Sequence, residues 1–340
     1  MSRQLKWLFV ALVAALALRP ALAQTAPAAD TPVTLFMGYL PNIQFAPVYV
    51  AVERGYFKAD GIDIKLEHGF DETDGLNRIA TNKLQFGLIS GEQVILARAN
   101  NAPVTYVFRW YQRFPVGVAV PADSGITDPK QLAGHTVGLP GKYGASYVGF
   151  EALLNAVGLK ESDLKELKAV GFGIDAFCNK QVEASVVYVA NEPAQIASKC
   201  FKVNVFKISD FANLMSNGLV TNETALKNSP DLVRSMNDAL ARGLADTLAD
   251  PKAAYTISQK YVDNLAADDP VQMGVLTNSM DLWKTVKFGY SDPEAWKLTL
   301  ATLKAMGLIT SDVDLTRVYS NDYLPNVPVP AATAAVTPGQ

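Results

Sequence analysis

The chain has 340 residues, of which 49% are hydrophobic and 19% charged, and its formal net charge is −3. This length and composition predict about two domains with buried cores and exclude a largely disordered chain. A mildly acidic chain without a basic run offers nucleic acid no electrostatic footprint. Two histidines and two cysteines are too few for a zinc site built from histidine or thiolate ligands.

The first 23 residues have the pattern of an export signal. A short basic start precedes an apolar run over 7–18, and Ala21 and Ala23 supply the small residues of a cleavage site. Arg19 interrupts the apolar run too early for a membrane anchor, which needs about 20 apolar residues. No cysteine lies directly after the predicted cleavage site, where a lipid would be attached. We therefore predict cleavage after Ala23 and a periplasmic mature protein that is not a lipoprotein.

Short β-rich runs then alternate with helical stretches. Strands are predicted at 33–40, 62–67, 86–90, 104–111, 136–139, 167–170, 184–189 and 203–208. Helices are predicted at 47–59, 93–99, 145–157 and 192–199. This alternation predicts an α/β protein with mostly parallel sheets flanked by helices.

From residue 223 onward the pattern becomes helical. Four helix starts are marked by an acceptor side chain followed by proline, a pair that caps the free amides and fixes the first helical φ. These pairs are Ser229-Pro230, Asp250-Pro251, Asp269-Pro270 and Asp292-Pro293. The last helix is predicted to run to Gly307.

Two β-rich runs, 116–121 and 218–221, are expected to form a two-strand hinge between two lobes. The first lobe would comprise 31–114 plus 222–324, and the second 115–221, between a disordered leader at 24–30 and a disordered tail at 325–340. Ligands bind at the carboxyl ends of strands in such sheets, so we expect a ligand cleft between the lobes.

No motif of a nucleophile elbow, zinc protease, P-loop or dinucleotide site occurs in the chain. The segment 171–173 matches only half of a dinucleotide motif, and we interpret it as a turn after a strand. The sequence therefore favours a binding protein over an enzyme and indicates no catalytic residue, cofactor or metal.

Five loops that follow predicted strands are rich in aromatic, amide and small polar residues, which suit the stacking and edge recognition of a flat ring. The candidate ligand-binding residues are Tyr39, Asn42, Phe45, Ser90, Glu92, Trp110, Gln112, Tyr143, Ser146, Tyr188, Asn191 and Glu192. Alternatives stay open at this point. The aromatic residues could belong to the core, Asn42 could only cap a helix, and Glu92 and Glu192 could be solvated acids of a first helical turn.

Cys178 and Cys200 are 22 residues apart, a separation that permits a disulfide in an oxidising compartment. Two unlinked thiols on neighbouring elements are the alternative.

Several segments resemble the nitrate/sulfonate/taurine and thiamine-pyrimidine family of periplasmic binding proteins. The segments are 38–42, 50–57, 61–64, 87–90, 128–132, 191–193 and 292–296, together with Gly134, Gly138 and Gly289. The resemblance extends over about 31–324 and implies the two-lobed fold of type II periplasmic binding proteins. Such a protein is expected to be a monomer that delivers a solute to the permease and ATPase of an ABC import system.

Within this family the segments 39–42, 90–93 and 110–112 resemble those of riboflavin-binding members. The expected ligand is riboflavin or a thiamine-precursor pyrimidine, with a sulfonate, taurine or nitrate anion as the alternative. Related synthases would place a pyridoxal-phosphate lysine at Ile89, a histidine at Gln93 and a cysteine cluster near 213–221. This sequence lacks all three features, so the resemblance implies a binder. An exported enzyme on the synthase scaffold is the alternative.

Overall fold

The structure is a computed structural model that describes residues 30–330. The predicted signal peptide, nearly all of the leader and the last ten residues lie outside the described residues. The strands are β1 (Thr31–Met37), β2 (Ile62–His68), β3 (Phe86–Ile89), β4 (Val104–Arg109), β5 (Val116–Pro121), β6 (Thr136–Leu139), β7 (Glu166–Ala169), β8 (Ala184–Tyr188), β9 (Val203–Lys207) and β10 (Gly218–Asn222).

The helices follow the order expected from the sequence, with additions. They are α1 (Ala46–Glu53), α2 (Tyr56–Ala59), α3 (Glu72–Ala80), α4 (Gly91–Ala99), α5 (Gly144–Val157), α6 (Asp175–Cys178), α7 (Glu192–Lys199), α8 (Glu223–Asn228), α9 (Pro230–Ala249), α10 (Pro251–Ser258), α11 (Pro270–Trp283), α12 (Pro293–Ala305) and α13 (Leu315–Val318). The helix predicted at 47–59 is two helices, and α3 was not predicted.

Two five-stranded sheets organise the fold. The first has the order β2-β1-β3-β10-β4 and the second the order β7-β6-β8-β5-β9. In each sheet four strands run in the same direction and one, β10 or β5, is antiparallel to its neighbours. The predicted α/β class with mostly parallel sheets is therefore confirmed, and each sheet is mixed.

The two runs expected to cross between lobes are the antiparallel strands themselves, and each lies within one sheet. The chain passes between the sheets in the segments just before them, 110–115 and 208–217. The two crossing segments are bonded to each other: the amide of Phe114 donates to Oδ1 of Asn213 at 3.0 Å, and Arg113 pairs with Asp210. The bounds assigned to the two lobes stay a prediction.

Proline-started helices form where the acceptor–proline pairs predicted them. The carboxylates of Asp250, Asp269 and Asp292 accept amide hydrogens in the first turns of α10, α11 and α12. Ser229 precedes α9 without a side-chain capping bond. Pro at the first helical position costs no hydrogen bond, because that amide has no acceptor within the helix.

The hydrophobic core joins the helices of both halves. Trp296 of α12 is fully buried, stacks on Tyr319 and meets the edge of Tyr106 on β4. Helix α5 of the second half packs against α4 and α12 of the first. Val327 and Val329, which belong to the predicted disordered tail at 325–340, pack against the core.

A small satellite cluster lies on the second sheet and includes Phe177, Val187 and Ile196. The structure joins Cys178, at the end of α6, to Cys200, directly after α7, in a disulfide. The bond therefore fastens together the two short helices that cover this cluster.

Reducing this disulfide is expected to lower the melting temperature by several degrees. Closing a loop of this size stabilises a fold by ~3 kcal/mol in the chain-entropy model, and α6 and α7 have little other core. Thermal melting with and without a reductant measures the effect. The double variant Cys178→Ser/Cys200→Ser is the control, and a reductant-induced shift that persists in it would contradict the assignment.

Candidate ligand-binding cavity

A cavity of about 530 Å³ lies between the two sheets, where the carboxyl ends of their parallel strands face each other. Its wall is built from the residues that follow β1, β2, β3 and β4 and from those that follow β6, β7 and β8. Pockets for small molecules and cofactors commonly have volumes of about 300–1,000 Å³. The cavity is therefore large enough for a ligand of one or several rings.

An aromatic cluster of Tyr39, Phe70 and Phe172 stands at the cavity wall. Phe70 and Phe172 stack with ring centroids 5.4 Å apart, and Tyr39 meets both rings edge-on. Phe70 and Phe172 are 48% and 51% exposed, respectively, so neither is a core residue. Because Tyr39 and Phe70 follow strands of the first sheet and Phe172 follows β7 of the second, this cluster spans the cleft.

Phe172 is presented by two glycines. Gly171 and Gly173 have φ of 74° and 104°, backbone conformations that a residue with a Cβ rarely adopts. The segment 171–173 is a turn after a strand, as predicted, but it is also part of the cavity wall.

Asn217, in the second crossing segment, is the centre of the polar wall. Its carbonyl oxygen accepts from the amides of Trp110 and Tyr111 at 3.1 and 3.4 Å, which ties the two crossings together. Its Nδ2 donates to Oγ of Ser90 at 3.0 Å, and its Oδ1 accepts weakly from the Tyr188 hydroxyl at 3.5 Å. One residue thereby links side chains from both sheets.

Asn191 and Glu192 hold the junction of β8 and α7. Oε2 of Glu192 accepts from the amide of Tyr188 at 2.9 Å, and its Oε1 accepts from Nδ2 of Asn191 at 3.2 Å. Burial is the main cause that raises the pKa of Glu192. Both oxygens already have protein donors, so the local role of this carboxylate is to position Tyr188.

Two further carboxyl groups lie close to each other. Oε1 of Glu72 accepts from the amide and the hydroxyl of Ser90 at 3.1 and 3.0 Å. Glu92 is 1% exposed, and within the described residues neither of its oxygens has a hydrogen-bond partner. Burial raises the pKa of both groups, and the charge of Glu72 raises that of Glu92 further. Glu92 is therefore neutral near pH 7.

The structure brings most of the predicted site residues to one cavity. Ten of the twelve line it: Tyr39, Asn42, Phe45, Ser90, Trp110, Tyr143, Ser146, Tyr188, Asn191 and Glu192. Their contact with a ligand stays a prediction. Trp110 is only 2% exposed and meets the edge of Trp283, so it is also a core residue. Asn42 caps the turn that follows it by accepting from the amide of Gln44.

Glu92 and Gln112, the other two predicted ligand-binding residues, do not line the cavity. Glu92 points into the protein behind Ser90, because the first turn of α4 places its side chain in the interior. The side chain of Gln112 donates to the carbonyl of Arg109, and its amide donates to the carbonyl of Leu282. These bonds hold the crossing segment in place away from the cavity.

Sequence reasoning missed Phe70, Glu72, Tyr111, Phe172 and Asn217, all of which line the cavity. Phe70 and Glu72 precede or begin α3, whose start was signalled by Asp71, which accepts from the amides of Thr73 and Asp74. Recognising that cap would have placed a further loop at the carboxyl end of β2. Asn217 carried no signal, since its role depends on contacts that are distant in sequence.

Two general features of residues 30–330 bear on function. None of the helices in this range combines the length and the hydropathy that a membrane span requires. The same range holds no group of three or more His, Cys, Asp or Glu side chains placed to bind a metal ion.

Residues 42–254 match the family described as NMT1/THI5 like. The chain belongs to this family. It is 36% identical over 303 residues to the riboflavin-binding protein RibY of Chloroflexus aurantiacus, covering 86% of each chain. It is 21% identical to the 4-amino-5-hydroxymethyl-2-methylpyrimidine phosphate synthase of Legionella pneumophila, covering 87% of this chain and 93% of the synthase.

The fold of this chain is shared with solved structures of periplasmic binding proteins. The structure resembles the periplasmic aliphatic sulphonate binding protein SsuA from Escherichia coli with a TM-score of 0.69 and 15% sequence identity, over 85% of this chain and 92% of SsuA. The predicted periplasmic-binding-protein fold is thereby confirmed. The relatives of this chain include a binding protein and a synthase. Binding and synthesis therefore have to be distinguished by the residues that line the cavity.

We expect the unpartnered carboxyl of Glu92 to make stability depend on pH. Burial raises its pKa from an ordinary 4.5 to about 8, so the folded state holds a proton that the unfolded state releases. Stability is therefore lost as pH rises from 4.5 toward 8, and each pKa unit corresponds to ~1.4 kcal/mol. In Glu92→Gln the side chain cannot ionise. Between pH 5 and pH 8 the melting temperature of this variant, relative to that of the wild type, should therefore rise by several degrees. Glu166→Gln, at an exposed position, is the control. The prediction would be contradicted if the melting temperatures of Glu92→Gln and wild type changed in parallel with pH.

Proposed function

We propose that this protein is an exported solute receptor that binds a flat heteroaromatic vitamin, riboflavin in first place, and delivers it to an ABC permease. The observation that carries the proposal is the cavity between the sheets, whose wall combines an aromatic cluster with amide, hydroxyl and carboxyl groups. The 36% identity to a riboflavin-binding protein over most of both chains supports the same ligand class. Stacking on aromatic rings adds about 0.5–1.5 kcal/mol to the burial of a flat ligand.

The charge of the wall argues against a sulfonate or nitrate ligand. Among the residues that line the cavity none is Lys, Arg or His, whereas Asp71, Glu72 and Glu192 do line it. Carboxylates repel an anion and offer it no donor, and a buried charge without a partner is costly. The likeness to SsuA therefore supports the fold and not its ligand.

A thiamine-precursor pyrimidine is the second candidate ligand. It is favoured by the relative that makes a methylpyrimidine phosphate. Such a ring has the same flat shape and edge donors as a flavin but fills less of the cavity.

The positions that would carry synthase chemistry support binding over catalysis. Ile89 is fully buried where a cofactor lysine would be expected, and Gln93 lines the cavity where a histidine would be expected. The segment 213–221 contains no cysteine. An amide and an alkyl side chain cannot form a Schiff base or transfer a proton near neutral pH.

The disulfide supports export. Disulfides persist in oxidising compartments such as the periplasm and are rare in the cytosol, so the Cys178–Cys200 bond agrees with the signal pattern of residues 1–23. We infer that the mature receptor acts as a monomer in the periplasm, between the outer environment and the permease.

Direct binding tests the function. The exported protein, purified without refolding, should quench riboflavin fluorescence to saturation at one ligand per chain. Riboflavin at 100 times its Kd should add ~2.7 kcal/mol to stability and raise the melting temperature. An aminopyrimidine and taurine serve as comparison ligands. Saturable binding of taurine without binding of riboflavin or the aminopyrimidine would overturn the proposal.

The aromatic cluster should contribute to affinity without contributing much to stability. Phe172→Ala is expected to raise the Kd for riboflavin roughly fivefold or more, because it removes one face of the ring stack. Phe211→Ala is the matched control, since Phe211 is 44% exposed and does not line the cavity. Fluorescence titration measures both variants, and equal affinities for the two would contradict a stacking role for Phe172.

A further inference from the structure

Glu72 is a carboxyl group on the cavity wall with one oxygen in use and one available. Its Oε1 accepts from the amide and hydroxyl of Ser90 and, at 3.4 Å, from Nδ2 of Asn217. Within residues 30–330 its Oε2 takes part in no hydrogen bond. Since the residue lines the cavity, Oε2 is the acceptor that it can offer to a ligand.

The carboxyl group lies beside the aromatic cluster of Tyr39, Phe70 and Phe172. Phe70 is two residues before it in the chain, and Gly38, next to Tyr39, touches it from the other side. A Cβ at Gly38 would come within 2.8 Å of Oε1 of Glu72 and 2.7 Å of the Leu88 carbonyl. Glycine is therefore favoured at position 38, where the Leu88 carbonyl and the Glu72 side chain leave no room for a Cβ, and the carboxyl group lies close to the backbone next to Tyr39.

Among residues 30–330 no Lys, Arg or His forms an ion pair with this carboxyl group. Its neighbours include Glu92 behind it and Tyr188 across the cavity, both of which are influenced by its charge, and Glu192 farther along the wall. Burial is the largest effect and raises the pKa of Glu72 to about 7, whereas the hydrogen bonds from Ser90 favour the charged form. A donor from the ligand would complete the set of partners that a half-buried carboxylate needs.

We propose that Glu72 is the specificity-determining residue of the cavity and accepts a hydrogen bond from a ring-edge N–H of the bound heterocycle. This inference rests on the proposed function. It narrows the ligand class to flat, uncharged rings that carry an imide or amino hydrogen on one edge. It also implies that anions are rejected, because an anion would place its own acceptor atoms against Oε2.

The test compares riboflavin with 3-methylriboflavin, in which a methyl group replaces the hydrogen of the imide nitrogen. Wild-type protein should bind the methylated flavin roughly tenfold or more weakly, since a charge-assisted hydrogen bond is lost. Lumiflavin keeps the imide hydrogen and lacks the ribityl chain. The affinity for lumiflavin should therefore depend on Glu72 no more strongly than the affinity for riboflavin does.

The variant Glu72→Gln keeps an oxygen for Ser90 and removes the charge. We expect it to weaken riboflavin binding and to shrink the penalty for methylation at least about threefold. Asp74→Asn is the matched control: it makes the same change of charge on the same helix, but its carboxylate is 58% exposed and does not line the cavity. Thermal melting of each variant establishes that it is folded.

The outcomes separate the two proposals. If the wild type binds neither riboflavin nor 3-methylriboflavin, the riboflavin assignment is overturned and this inference with it. Equal affinity of the wild type for the two flavins overturns the role of Glu72 alone, and this comparison needs no variant. A methylation penalty that is the same in Glu72→Gln as in wild type and Asp74→Asn also overturns it.

Discussion

Asn217 joins the two segments of chain that pass between the sheets. Its carbonyl accepts the amides of Trp110 and Tyr111 from the first crossing, while its side chain reaches Ser90 on one side and Tyr188 on the other. Without these bonds the buried backbone amides of the first crossing would lack acceptors, which costs several kcal/mol each in an apolar setting. Asn217 therefore connects the first crossing segment to polar side chains of both sheets at the cavity wall.

The cavity combines two environments that are usually separate. Tyr39, Phe70 and Phe172 expose ring faces that gain by burying a flat apolar ligand. Beside these rings, Glu72 and Ser90 form a polar set in which one oxygen of the carboxyl group has hydrogen-bond donors and the other has none within residues 30–330. A ligand that fits has to be apolar on its faces and polar on its edge, which is the description of a heteroaromatic ring system.

Much of the site could be predicted because of one rule of α/β folds. Parallel strands bring their carboxyl ends to a common edge, so loops far apart in sequence, such as those holding Tyr39 and Tyr188, could be placed in the same cleft. The rule failed where a strand was recognised but the loop after it was not weighed, as with Phe70 and Phe172. It also failed for Glu92, because a loop position does not reveal which way the first turn of the next helix directs its side chain.

Other parts depend on tertiary contacts and lay beyond sequence reasoning. The β-rich run at 218–221 was expected to cross between lobes, since its pattern resembles any buried strand. Its actual place between β3 and β4 is fixed by pairing with residues more than a hundred positions earlier in the chain. Neither the pairing partner of an apolar run nor the hydrogen bonds of Asn217 can be deduced from local patterns.

The position of β10 in the first sheet has a consequence for folding. All five strands of the second sheet come from one continuous stretch, 116–207, so this sheet can form from contacts within that stretch. In the first sheet β10 lies between β3 and β4, so these strands are joined only after 218–222 has been delivered. Pairing of strands that are distant in sequence is slow, because the entropy cost of closing the intervening loop comes before the stabilising contacts form. The first sheet, and with it the part of the cavity wall that follows β3 and β4, is therefore complete only when residues 218–222 are in place.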